Sequence, residues 1–265
     1  MEFRTVVDIP KSGFQIEPME HILFVGSCFA DHIGRRFLED KFQAVVNPFG
    51  VMYNPASILH TIQWVETAPR VVFLTLGTNH VYRLKETGEI VDNCEKRPQS
   101  LFLEEELTVT ECADYLRQAV ELLKERNPEV QVVLTVSPIR YRKYGFHGSQ
   151  LSKATLLLAA HQLMGIVGVS YFPAYEIVND ELRDYRFYAA DMLHPSEQAV
   201  DYIWERLSET YFSEATQQFL MEWHPIKQAL EHKPFHPYSA DYKAFMDKTM
   251  LKVAELQKKY PTFVL

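Results

Sequence analysis

Five short runs of nearly continuous apolar residues constrain this chain more than any other feature: His21–Val25, Gln43–Val46, Val71–Leu76, Gln131–Val136 and Val169–Phe172. A strand with one wet face alternates apolar and polar residues; these runs do not, so each predicts a strand covered on both faces. Helical spacing fills the gaps. Phe29, Ile33 and Phe37 recur at intervals of four, and Leu116, Val120 and Leu123 form a second stripe ahead of Asn127–Pro128. Leu151, Ala154 and Leu158 mark a third, and Val200, Ile203, Trp204, Leu207 and Tyr211 a fourth, which the spacing starts at Pro195. Strand–helix alternation of this kind predicts an α/β fold, a parallel sheet with helices on both faces. Ligands of such sheets bind beyond the carboxyl ends of the strands. The segments leaving those ends are Gly26–Cys28, Asn47–Gly50, Gly77–His80, Ser137–His147 and Pro173–His194.

Two stretches fall outside the alternation. Val81–Thr110, with a turn at Glu86–Glu89, predicts a hairpin or loop excursion over the sheet edge. Residues 213–265 predict a helical C-terminal appendage packed on the 1–212 domain and broken at His224–Pro225 and Pro234–Pro237. A chain of 265 residues, 47% hydrophobic, can bury one large core. Its net charge of −8 argues against nucleic acid as a partner. The N-terminus lacks the basic start and apolar run of a signal peptide, and no apolar stretch reaches the roughly 20 residues that span a bilayer. Cys28, Cys94 and Cys112 form no CxxC pair, so neither a disulfide framework nor a zinc site is expected, and a cytoplasmic location is. Oligomeric state is not legible.

Four segments carry candidate chemistry. In Gly26-Ser27-Cys28-Phe29-Ala30 a strand runs into a helix, whose positive N-terminus would stabilise a thiolate or an oxyanion. The plainer reading is a tight turn of small residues. Asp191-Met192-Leu193-His194 places a carboxylate three residues before an imidazole that it can orient, although DxxH also occurs as a simple helix start. Gly77-Thr78-Asn79-His80 ends the third run; the Asn79 amide can donate to an oxyanion, and Gly77 lets backbone approach closely. The Gly50 N–H of Asn47-Pro48-Phe49-Gly50 is a further donor candidate. Both of these also read as ordinary turns. Arg140, Arg142, Lys143 and His147 leave the fourth run as a possible anion site or a solvated basic loop.

Gly26-Ser27-Cys28-Phe29-Ala30 spells the signature of the GSCFA-domain family, and the resemblance continues through Asn47–Pro55, Leu76–Arg83, Ser137–Lys153 and Arg186–Glu205. GSCFA proteins are grouped with the SGNH (GDSL-type) hydrolases. That resemblance implies a three-layer αβα sandwich with a five-strand parallel sheet in flavodoxin-like order. It also implies a nucleophile after strand one, Gly50 and Asn79 in the oxyanion hole, and Asp191–His194 as the orienting acid and base. Alignment on Gly26 puts Cys28 at the nucleophile position; sliding by one residue puts Ser27 there. His80 stands where many SGNH enzymes carry Asp, which gives it a possible substrate-facing role.

The implied activity is hydrolysis of an acyl ester, an acylated carbohydrate or small ester, through a covalent acyl-enzyme. No metal, organic cofactor, nucleic acid or membrane is implied. The rivals are an O-acyltransferase using the same site and a non-catalytic carbohydrate- or peptide-binding module on the hydrolase scaffold.

Overall fold

The computed structural model describes residues 4–66 and 68–265. The chain forms β1 (His21–Gly26), α1 (Cys28–Glu39), β2 (Gln43–Val46), α2 (Pro55–Trp64) and β3 (Val71–Leu76). Next come β4 (His80–Leu84), β5 (Ile90–Val91), β6 (Phe102–Glu106), α3 (Val109–Arg126), β7 (Gln131–Val136), α4 (Gly145–His161) and β8 (Val169–Tyr171). A short α5 (Ala174–Glu176) runs into a π-helical turn at Ile177–Leu182. α6 (Glu197–Tyr211), α7 (Glu214–Glu231) and α8 (Ala240–Lys259) complete the order.

β1, β2, β3, β7 and β8 pair in parallel in the order β2-β1-β3-β7-β8, the flavodoxin-like arrangement. The five apolar runs are these strands, but β2, at the sheet edge, is not covered on both faces as expected: Gln43 and Val45 are exposed. The sheet has a core on each face because side chains alternate along every strand. Phe24, Phe73 and Val133 meet Phe29, Ile33 and Phe37 of α1 and Ile203 and Leu207 of α6. Leu23, Val25, Leu74, Leu76 and Leu134 point the other way, toward α2, α3 and α4. Phe219, Trp223 and Ile226 of α7, Val253 and Leu256 of α8, and Phe263 join the α1–α6 core. The excursion after β3 is a three-stranded antiparallel sheet, β5-β4-β6.

Two local expectations change, and one helix was not foreseen. The helix after His194 starts at Glu197, not Pro195: Ser196 is its N-cap, accepting from the Ala199 N–H at 3.3 Å, and Pro195 lies buried in a bridge to Tyr188. The hydroxyl offers an N–H acceptor that Pro195 does not. Pro225 does not break its helix but sits inside α7, between the buried Trp223 and Ile226, whose packing offsets the lost backbone bond. α2 is buried almost all round and therefore shows no apolar–polar period. Its sequence signal is Asn54–Pro55, an N-cap followed by proline at the first helical position.

Candidate active site

Gly26 leaves β1 with φ +145°, so close to β3 that a Cβ would lie 2.1 Å from the Thr75 carbonyl oxygen. Only glycine fits there. Ser27 is fully buried as the N-cap of α1. Its Oγ accepts from the Phe29 N–H at 3.3 Å, and its own N–H donates to Thr75 Oγ1 at 3.0 Å. Cys28 is the first residue of the helix, partly exposed, with Sγ 3.7 Å from the Tyr53 hydroxyl. Its N–H belongs to the first helical turn, where no intrahelical acceptor exists and the helix dipole is positive. Asn47, at φ +42°, braces the junction: Oδ1 accepts from the Gly26 N–H at 2.8 Å and Nδ2 donates to Asp31 at 2.6 Å.

The loop at Asp191 turns on Met192, whose φ is +60°. Asp191 Oδ1 then accepts from the N–H groups of Leu193 at 2.8 Å and His194 at 3.0 Å, while Oδ2 lies 2.5 Å from His194 Nδ1. These hydrogen bonds, the two backbone ones first, hold the carboxyl down at about 2. Arg140 braces the same loop, donating from its main chain to the Leu193 carbonyl at 3.0 Å and from its guanidinium to the Met192 carbonyl at 3.1 Å. The guanidinium lies over Phe146 and Tyr188. His32, one turn beyond Cys28 on α1, stands edge-on to His194 with ring centroids 6.3 Å apart. Burial, and next the charge His194 can carry, lower the His32 pKa.

The donors expected for an oxyanion are engaged elsewhere. The Gly50 N–H closes a turn on the Asn47 carbonyl at 2.9 Å. Asn79 is buried, with Nδ2 donating to the Leu107 carbonyl at 2.7 Å and its N–H to Ser152 Oγ at 3.0 Å. His80 does not face a substrate space; it is buried against Tyr144, ring on ring at 3.5 Å, and faces Glu104 and Glu106. His80 opens the excursion as the first residue of β4, paired with Glu106 of β6, and Tyr144 covers its ring. Arg142 and His147 are exposed.

A cluster stands where those donors were expected. The bare α-carbon of Gly77 admits Tyr141: a Cβ there would lie 2.4 Å from the Tyr141 hydroxyl, 2.8 Å from the Tyr53 carbonyl oxygen and 3.2 Å from Ser27 Cβ. Lys153 is buried and donates to the Gly77 carbonyl at 2.6 Å, with Nζ 4.9 Å from the centre of the Tyr141 ring. Burial lowers the Lys153 pKa to about 7. Burial, and then the neighbouring Cys28, raise the Tyr53 phenol to about 12.

The model of the GSCFA family matches residues 21–70 and 65–207, and that of the GSCFA domain protein, C-terminal domain, matches 223–265. This chain belongs to the GSCFA family. No curated protein sequence matches it. Among solved structures, the GSCFA chain is similar to a GDSL-like lipase assignment from Parabacteroides merdae, at 16% identity and a TM-score of 0.51, over 76% of this chain and 98% of that one. A protein from Lactobacillus plantarum is similar at 14% identity and a TM-score of 0.50, over 78% and 98%. A member of the lipolytic G-D-S-L family from Veillonella parvula has 14% identity and a TM-score of 0.48, over 72% and 97%. The GSCFA chain shares the α/β fold of the GDSL-like lipase from Parabacteroides merdae.

Sequence reading missed Asn47, Tyr53, Tyr141 and Lys153. Lys153 had a signal: it lies in helical phase with the buried Ser149, Leu156 and Ala160 of α4, a cation on a core stripe. Tyr141 had none beyond lying on Ser137–His147, which leaves the ligand edge of the sheet, and Tyr53 none beyond lying within Asn47–Pro55.

Proposed function

We propose that this GSCFA protein cleaves acyl esters through a covalent acyl-enzyme on Cys28. The observation that carries the reading is the division of labour between neighbours. Ser27 uses its hydroxyl to cap α1, and Cys28 presents its sulfur at the helix N-terminus, one turn before His32, whose ring stands edge-on to that of His194 at 6.3 Å. His194, with Nδ1 held by Asp191, has Nε2 left to take the thiol proton. Asp191 stays ionised through the range in which an imidazole titrates, so it fixes the tautomer and supports the imidazolium. The sulfur bonds to the acyl carbon as the carbonyl pair moves to oxygen. Collapse breaks the ester C–O bond, and His194 returns the proton to the leaving alkoxide. Water then repeats the sequence and frees the acid.

The experiment is intact-mass analysis after exposure to p-nitrophenyl acetate, with the adduct mapped by peptide sequencing. An acetyl group on Cys28 that turns over is the expected result. An adduct on Ser27, or none, rejects the reading.

A further inference from the structure

The acyl-enzyme reading lacks a side-chain donor for the oxyanion, since the Asn79 amide is held by Leu107. We propose that the Tyr141 hydroxyl is that donor: it receives the acyl oxygen as Cys28 attacks, so that a phenol takes the place of an amide. The inference rests on the reading of Cys28 as nucleophile.

Tyr141 lies just beyond the carboxyl end of β7, beside the junctions that carry Cys28 and Gly77. Its hydroxyl is buried and has no hydrogen-bond partner among the described residues. A buried polar group without a partner is costly, and such groups persist where a ligand completes them. The position is built rather than accidental. Gly77 leaves room for the oxygen, Ser27 Cβ flanks the same space, and the Lys153 ammonium packs near the Tyr141 ring. The hydroxyl is also close enough to the nucleophile that charge on Cys28 or Tyr53 adds to the effect of burial in raising the Tyr141 pKa well above its ordinary value. The phenol therefore stays protonated and acts by hydrogen bonding alone; no proton leaves it.

Tyr53 stands edge-on to Tyr141 at 6.3 Å between centroids, and its hydroxyl lies 3.7 Å from the Cys28 sulfur. Sulfur is a weak hydrogen-bond partner, so an arriving carbonyl displaces this contact at little cost and reaches the hydroxyl beneath. Lys153, fixed on the Gly77 carbonyl, is a positioning residue for the tyrosine ring.

The test is Tyr141→Phe, which removes one oxygen. With p-nitrophenyl acetate the proposal expects kcat for Cys28 acylation to fall roughly 10²–10³-fold. It also expects KM to be little changed and the melting temperature to be unchanged or higher, because an unpaired buried hydroxyl has gone. A purely structural tyrosine would lower the melting temperature and leave kcat of the folded fraction intact. That result, or an unaltered rate, overturns the proposal. If wild-type protein acylates on Cys28 while Tyr141→Phe matches it, only the oxyanion assignment fails. If wild-type Cys28 is never acylated, the nucleophile reading fails and takes the donor with it.

Discussion

The Tyr53 hydroxyl lies 3.7 Å from Cys28 Sγ, whereas the adjacent Ser27 side chain is wholly buried on Phe29 and Thr75. Consecutive residues entering a helix point about 100° apart, so a junction of this kind offers only one of two neighbours to a substrate. Here the cysteine is the partly exposed one, and the serine holds the turn.

Cys28→Ala should abolish acylation by p-nitrophenyl acetate and leave the melting temperature near that of the wild type. Ser27→Ala should do the reverse, retaining acylation while losing about 1 kcal/mol of stability with its N-cap. Side-by-side mass spectrometry and urea denaturation decide it. Acylation lost in Ser27→Ala alone would reverse the assignment.

Asp191→Asn keeps the shape of the loop but places an amide against His194 Nδ1, where a carboxylate now lies at 2.5 Å. The imidazole loses its tautomer control, and kcat/KM should fall roughly 10²–10⁴-fold with stability little affected. A loss below tenfold in steady-state assays would remove Asp191 from the mechanism.

Gly77→Ala forces a methyl group to within 2.4 Å of the Tyr141 hydroxyl and 2.8 Å of the Tyr53 carbonyl. Overpacking of this kind should cost about 1–3 kcal/mol. Adding Tyr141→Phe should recover part of the loss, because one of the two clashing oxygens is removed. A double-mutant cycle by chemical denaturation measures the coupling, and strict additivity would show that the two residues do not share this space.

Lys153 gives a stability signature in pH. Its folded pKa is about 7 against an ordinary 10.5, because burial disfavours the ammonium. Below about 7 the group is charged in both states and the burial penalty is fully present. Between about 7 and 10.5 the unfolded chain binds more protons than the folded one, so stability rises with pH, by up to about 1.4 kcal/mol per unit from this group. Urea midpoints of the wild type relative to Lys153→Met should climb from pH 7 to pH 9. A difference that is flat across that range would mean that Lys153 titrates normally.

Sequence alone determined the scaffold. Continuous apolar runs such as Val71–Leu76 leave no face for water, and helical stripes such as Phe29, Ile33 and Phe37 leave one, so the parallel sheet and its covering helices were readable from periodicity. Asp191–His194 was readable too, because its partners are three residues apart and meet through local geometry. α2 was not, since a helix buried on nearly every side shows no period. Which of Cys28 and Ser27 is buried was also hidden, because it depends on which of two adjacent side chains finds Thr75 on the neighbouring strand. Tyr53, Gly77, Tyr141 and Lys153 come from four separate segments, and their meeting was decided only when β1, β3 and β7 were laid side by side. Local pattern reports which face of an element is buried; it carries no information about which distant atoms will share that buried space, and there tertiary packing alone took Asn79 to Leu107 and left the buried Tyr141 hydroxyl without a partner among the described residues.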